Sequence, residues 1–259
     1  MDLGLTGRRA IVTGGSRGIG AATAAALRAE GAEVAVIGRD RAALDAVVAA
    51  HGVHPVVADL ATADGVAVGI DACVAALGGV DILVNNAGAS PGGTLDDITD
   101  DQWQETFDLK FMGYVRCTRA VLPTMRAQRY GRIVHVGGTG LLRAQPGYAL
   151  ASLAAGLVHF TRATAELVGH DGITVTMVHP GPTMTERLRG MLARGAERAG
   201  ADVDDFAREV VGTSLPLGRV GSPEEVAAMI TILCSEQAAW VTGGGLTIDG
   251  GAAQGVVGG

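Results

Sequence analysis

Lysine is nearly absent from this chain. Lys110 is the single lysine in 259 residues, and the other 19 basic side chains of the Lys+Arg total of 20 are arginines. Such a bias fits a GC-rich genome better than a functional demand. An excess of positive charge is also missing: the net charge is −7 and the pI about 5.3, which argues against a nucleic-acid surface. Cysteine is scarce. Cys73, Cys117 and Cys234 stand far apart in sequence, in apolar surroundings and without metal-ligand spacing, so they read as buried thiols of a reducing compartment and no metal site is expected. No apolar run approaches the roughly 20 residues that cross a bilayer. The start, Met1-Asp2-Leu3-Gly4-Leu5-Thr6, lacks the basic-then-apolar pattern of a signal peptide. The expectation is a cytoplasmic protein without membrane or nucleic-acid partners.

Glycine is abundant, at 40 residues, and one group of glycines organises the chain. The stretch Val12-Thr13-Gly14-Gly15-Ser16-Arg17-Gly18-Ile19-Gly20 follows an apolar run, Arg9 to Val12, and opens an alanine-rich helix, Ala21 to Ala29. A strand, a glycine turn and a helix start make a pyrophosphate site, because the backbone can approach the phosphates and the helix N-terminus offers free N–H groups and a positive dipole end. Beyond it, strands alternate with helices. Strands are expected over Glu33–Ile37, His54–Ala58, Asp81–Val84, Gly131–Val136, Ile173–His179 and around Leu246–Asp249. Helices are expected from near Asp40, over Asp64–Leu77, Trp103–Ala127 and Ser152–Val168, and after the capping box Ser222-Pro223-Glu224-Glu225. Residues 183 to 214 read as a polar segment with one amphipathic patch, Val203, Phe206, Val210 and Val211.

The Thr-Gly-x-x-x-Gly-x-Gly spacing, the Asn85-Asn86-Ala87-Gly88 turn, the His179-Pro180-Gly181 turn with Thr183 and Thr185, and the closing Asp249-Gly250-Gly251 resemble the short-chain dehydrogenase/reductase family from about Leu5 to Gly251. The resemblance implies an α/β fold: one Rossmann-like, doubly wound, parallel seven-stranded sheet with helices on both faces, spanning residues 1–259 as a single dinucleotide-binding domain. It assigns the cofactor to Thr13, Gly14, Ser16, Arg17, Gly18, Ile19 and Gly20, to the adenine pair Asp59-Leu60, to Asn86, Ala87 and Gly88, and to Pro180, Gly181, Thr183 and Thr185 beside the nicotinamide. It also implies a substrate lid over about 183–215 covering a small-molecule ligand, and a homodimer or homotetramer, either alone or mixed with an active paralogue. At the end of the second strand Gly38 occupies the usual place of the ribose-binding acid and Arg39 follows it; with Arg17 this favours NADP(H) over NAD(H).

In the family, a Tyr-x-x-x-Lys pair, a serine thirteen residues before the tyrosine and an asparagine on the preceding long helix carry the acid–base chemistry. Aligned on Gly131–Val134 and on Pro146-Gly147-Tyr148, those positions fall on Lys110, Gly138, Ala151 and Ala155. All four differ from the family pattern. Tyr148 has Ser152 rather than a basic residue four positions on, and Thr139 offers a hydroxyl beside the missing serine. Lys110 faces the same centre, where a buried lysine acts as base or imine former. The expectation is a cofactor-binding protein outside ordinary family chemistry. It is either a silent subunit or scaffold that binds NADP(H) without turnover, or a repurposed lyase, isomerase or cyclase using Lys110, Tyr148, Thr139 or His179. The alternative is an atypical NADPH-dependent carbonyl reductase or alcohol dehydrogenase.

Overall fold

Strands buried on both faces read as unbroken apolar runs, and this is what Ala10-Ile11-Val12 and Ile82-Leu83-Val84 become, all 0% exposed. The structure, a computed structural model, describes residues 1–88, 91–141, 147 and 149–253. Seven strands, β1 (Arg9–Thr13), β2 (Glu33–Gly38), β3 (His54–Val57), β4 (Ile82–Asn85), β5 (Gly131–Val136), β6 (Ile173–Pro180) and β7 (Gly245–Ile248), form one parallel sheet in the order β3-β2-β1-β4-β5-β6-β7. The helices are α1 (Gly18–Ala29), α2 (Arg41–His51), α3 (Ala63–Leu77), α4 (Asp100–Thr106), α5 (Gly113–Gln128), α6 (Ala151–Val168), α7 (Glu186–Ala199), α8 (Val203–Val210) and α9 (Pro223–Leu233). This is a single-domain α/β, Rossmann-like architecture with helices on both faces.

Side chains alternate across the sheet, so neighbouring residues of one strand enter different cores. Ala10 and Val12 pack with Ala24 and Leu27 of α1, Leu44 and Val47 of α2, and Val226 and Ile230 of α9. Ile11 and Leu83 pack with Ile70 of α3, Val121 of α5 and Val168 of α6. Cys73 and Cys117 belong to this second core. All three cysteines are free and buried, and burial pushes each thiol up to about 12. At the N-terminal edge of the sheet Arg9 Nε and Nη2 donate to the Asp81 carboxylate at 2.8 Å each. Burial pushes this carboxyl up, but the bonds from Arg9 outweigh it and hold the group below its usual range. No helix among the described residues is long and apolar enough to cross a membrane.

The chain winds outward from β1 to β3, then returns to place β4 beside β1. The crevice beyond the carboxyl ends of β1 and β4 is therefore the switch point at which ligands bind in such sheets.

Three elements differ from the expectations. The helix expected over Trp103–Ala127 is α4 and α5 joined by a π turn, Phe107–Met112. Gly113 follows the turn; an added Cβ there would lie 3.0 Å from the Leu60 carbonyl, so the glycine lets α5 approach the β3–α3 loop. The segment 183–214, expected as polar with one amphipathic patch, folds as two helices, and the patch lies on the second. It holds α7, capped by Thr185 and ended at Gly200 in the left-handed region (φ +64), and α8, capped by Asp202. Phe206 of α8 packs against Gly195 of α7, where an added Cβ would stand 2.7 Å from the ring. Finally, α1 begins at Gly18 rather than Ala21, which brings the glycines into its first turn.

Candidate active site

Glycine at 14 and 20 is required by close approach. Gly14 has φ +62, and its Cβ would stand 2.8 Å from the Ala87 backbone; a Cβ at Gly20 would stand 2.2 Å from the Gly14 carbonyl oxygen. Thr13 ties this loop to the end of β4: its hydroxyl accepts from the backbone N–H groups of Asn86 (2.9 Å) and Ala87 (3.0 Å). The Asn86 amide donates back to the carbonyls of Thr13 (3.0 Å) and Gly14 (3.1 Å). Thr13, Gly14, Asn86 and Ala87 are thereby one rigid unit.

The start of α1, like those of α5 and α6, lacks a side-chain cap. Asp40, Thr62, Thr99, Thr185, Asp202 and Ser222 each cap a helix through a side-chain oxygen, whereas Arg17, the residue before α1, makes no side-chain cap. The amides of Gly18, Ile19 and Gly20 have no partner within the helix. A cradle too tight for any Cβ, ending on uncapped amides, fits the pyrophosphate of a dinucleotide.

The adenosine end is less uniform than expected. The Ser16 hydroxyl stands 3.3 Å from where a Cβ of Gly38 would lie, beside the end of β2. Arg17 is paired with Asp40, while Arg39 is exposed and among the described residues makes no ion pair. Asp59 is exposed and turns on itself, accepting from the Ala61 N–H at 3.1 Å. Leu60, expected at the adenine, instead has its side chain in the core at 4% exposure, because β3 ends one residue short of Ala58 and the chain turns inward.

Across the crevice, the turn after β6 meets the glycine loop. The Thr185 methyl lies 3.0 Å from where a Cβ of Gly18 would be, so the N-termini of α1 and α7 converge. Beyond them opens a cavity of about 650 Å³. Its walls include Lys110, Gly138, Thr139, Ala151, Pro180, Gly181, Thr183, Thr185 and Arg187. The wall at Gly138 is open, since a Cβ there would meet nothing nearer than the Pro180 oxygen at 4.0 Å.

Lys110 enters this cavity from the π turn. Its aliphatic stem lies over Gly88, 3.3 Å from the position of a Cβ, and its Nζ donates to the Gly137 carbonyl at 3.3 Å. Burial, reinforced by the charge of Arg187, brings the ammonium down to about 8. π turns recur at functional sites because the extra residue re-aims a side chain.

The structure brings Lys110, Thr139, Gly138 and Ala151 together. Ala155 is exposed and outside the cavity lining; Ala154 takes the inward position one residue earlier. His179 does not line the cavity either. Strand alternation turns its ring onto Gly245, whose Cβ would stand against the imidazole, and burial lowers its pKa. Tyr148 lies outside the described residues. Two features escaped the sequence reading. One is Arg187, two residues beyond the capping Thr185. The other is a buried brace: His135 bonds Thr161 of α6 at 2.9 Å through Nδ1 and Thr118 of α5 at 3.4 Å through Nε2, and Asn85 donates to Thr118 at 3.2 Å. Burial drives the His135 imidazole down to about 3, so it stays neutral.

Comparison with known proteins agrees with this architecture. A family described as enoyl-(acyl carrier protein) reductase matches residues 14–253. A 3-oxoacyl-[acyl-carrier-protein] reductase from Synechocystis sp. is 36% identical, over 95% of this chain and 97% of its own length. The crystal structure of L-sorbose reductase from Gluconobacter frateurii, complexed with NADPH and L-sorbose, superposes with a TM-score of 0.92 at 31% identity, covering 99% of this chain and 100% of that one. A protein described as a short chain dehydrogenase/reductase family protein superposes at 0.82 with 34% identity, over 98% and 99% of the two chains. These findings overturn the expectation of a silent scaffold or a repurposed lyase, isomerase or cyclase. The matched relatives are named as reductases, and the likeness runs through the whole chain rather than through the nucleotide half alone.

Proposed function

This chain belongs to the short-chain dehydrogenase/reductase family, and on that premise we propose that it is an NADPH-dependent carbonyl reductase in which Lys110 delivers the proton. In this reading the four family positions are filled by Lys110, Gly138, Ala151 and Ala155. The observation that carries it is Lys110 itself: an ammonium with its pKa at about 8, held in the cavity lined by Gly138 and by the turn after β6.

The glycine loop and the uncapped start of α1 would hold the pyrophosphate, and Pro180, Gly181, Thr183 and Thr185 the nicotinamide half. Bound NADPH supplies a hydride to the carbonyl carbon. The chain supplies the rest. The Lys110 ammonium, released from the Gly137 carbonyl, donates a hydrogen bond to the substrate oxygen and then its proton as negative charge builds there. A donor with a pKa near the working pH is suited to this, because it is largely protonated yet gives the proton up readily. The Thr139 hydroxyl polarises the same oxygen. Gly138 leaves space for the substrate where a side chain would otherwise stand. Helices α7 and α8 form the lid, with Leu188 and Met191 toward the cavity, and exclude water from the reacting atoms. The homo-oligomer belongs to the same proposal, with exposed Val158 and Leu167 of α6 offering contact surface between copies.

Cofactor preference gives a direct check. Arg39 is exposed at the end of β2, and Arg17 stands beside it, shared with Asp40. Titration calorimetry is expected to give NADPH at least about ten-fold tighter than NADH, as one charge-assisted phosphate contact of roughly 1.5–3 kcal/mol provides. Arg39→Asp is expected to reverse the order. Equal affinities in the wild-type protein would remove Arg39 from the phosphate site.

A further inference from the structure

Lys110 in the π turn and Tyr114 at the start of α5 donate to consecutive carbonyls at the end of β5. Lys110 Nζ reaches the Gly137 oxygen at 3.3 Å, and the Tyr114 hydroxyl reaches the Val136 oxygen at 3.0 Å. The Val136 carbonyl and the Gly137 N–H belong to one planar peptide unit. Tyr114 holds that unit from one side, and the Val178 carbonyl, accepting from the Gly137 N–H at 2.8 Å, holds it from the other. The chain then continues through Gly137 and Gly138, which lack a Cβ and restrict their own backbone little. The direction of the Gly137 carbonyl, the acceptor for Lys110, is therefore set by the pinned unit before it. Tyr114 has no room to shift: it is 1% exposed and packs with Leu157 and Met177. Phe111, between the two donors, seats its ring on α6, where a Cβ added at Gly156 would stand 2.9 Å away.

We propose that Tyr114 is a positioning residue: through the peptide between Val136 and Gly137 it aims the carbonyl that holds the Lys110 ammonium in the cavity. Tyr114 does not line the cavity, so it acts only through Lys110. The consequence for turnover rests on the reductase reading above; the hold on the ammonium does not. A carbonyl aimed at an ammonium favours its charged form. The charged and titratable groups nearby do not replace that carbonyl. Arg187 of α7 opposes the charge on Lys110. Asp108, on the π turn, pairs with Arg116 at 3.8 Å, and the Glu186 carboxylate is turned toward Gly18. His135 of β5, its ring 5.8 Å from that of Tyr114, is kept neutral by burial. Burial also holds the Tyr114 phenol above its usual range, so it stays protonated and donates.

The test uses the full chain carrying lysine with an isotope label at Cε. Lys110 is the only lysine, so a single resonance follows its titration by NMR. The wild-type midpoint is expected at about 8. Tyr114→Phe keeps the ring that fills the core and removes only the hydroxyl. It is expected to lower the midpoint by about half a unit or more, roughly a three-fold weaker hold on the proton. Thr161→Val is the control. It deletes another buried hydroxyl, one that bonds His135 at 2.9 Å and not the peptide between Val136 and Gly137, so it should lower stability in urea yet leave the Lys110 midpoint in place. An unmoved midpoint in Tyr114→Phe, or an equal shift in Thr161→Val, would overturn the inference. In turnover, the alkaline limb of Tyr114→Phe is expected to move down with the midpoint, with kcat about ten-fold lower and KM nearly unchanged. A shifted midpoint without turnover of any carbonyl by the wild-type protein keeps the positioning role and removes the reductase reading; turnover with an unshifted midpoint does the reverse.

Discussion

Lys110→Met is expected to lower kcat for carbonyl reduction by about 10²–10⁴-fold at neutral pH, the usual cost of deleting an acid–base group, or roughly 3–5 kcal/mol of barrier. Methionine keeps the aliphatic stem that packs over Gly88 and removes only the ammonium, so NADPH affinity and folding are expected to change little. The pH profile supplies the signature. Burial sets the Lys110 pKa at about 8, and the protonated form is the donor. The rate is therefore flat on the acid side and falls as pH rises through about 8, a limb that Lys110→Met erases. Steady-state kinetics of the two proteins across pH 6 to about 10 measure both effects, and an unchanged kcat in the variant assigns the proton to another group.

Gly20→Ala is expected to damage both the fold and cofactor binding. Its Cβ would stand 2.2 Å from the Gly14 carbonyl oxygen, a backbone atom, and 2.4 Å from the Asn86 side-chain amide nitrogen, which is itself held by the Thr13 and Gly14 carbonyls. Relief requires the glycine loop to move away from α1, and with it the amides that face the phosphates. Overpacking of this kind costs about 1–3 kcal/mol of stability. The NADPH dissociation constant is expected to rise at least about ten-fold besides, as each 1.4 kcal/mol of lost contact is a factor of ten. Gly52→Ala is the control. Gly52 also has positive φ (+65), but no atom lies within 4 Å of its Cβ position. It should cost about 1–2 kcal/mol for the left-handed backbone and leave NADPH binding untouched. Urea melts and calorimetric titration of the two variants separate these outcomes.

The nucleotide half of the site was legible because its signals are local. The loop from Thr13 to Gly20, the Asn86-Ala87-Gly88 turn and the capping box at Ser222 each specify their geometry within a few residues, and the structure forms them where the spacing puts them. The catalytic half depends on features with no short signature. A π turn is invisible to a 3.6-residue period, so Trp103–Ala127 looked continuous although the turn aims Lys110. The segment 183–214 carries few apolar residues outside the Val203–Val211 patch, so α7 had no strong period, and Gly195 is the seat of the Phe206 ring. His179 was a candidate at the end of its strand, but strand alternation turns its ring onto Gly245, and the side chain of Leu60 lies in the core. The expectation of a silent scaffold or a non-redox enzyme rested on four aligned positions alone, whereas relatives named as reductases match along the whole chain.

Isotope transfer tests the central claim most directly. The protein is incubated with a panel of oxo acids, ketones and thioesters and NADPH deuterated at its transferable position, and the product is read by mass spectrometry and NMR. An alcohol with one deuterium on the former carbonyl carbon is expected, formed by the wild-type protein and suppressed in Lys110→Met. Absence of deuterated product from the wild-type protein across oxo acids, ketones and thioesters, under conditions where NADPH is bound, would contradict it.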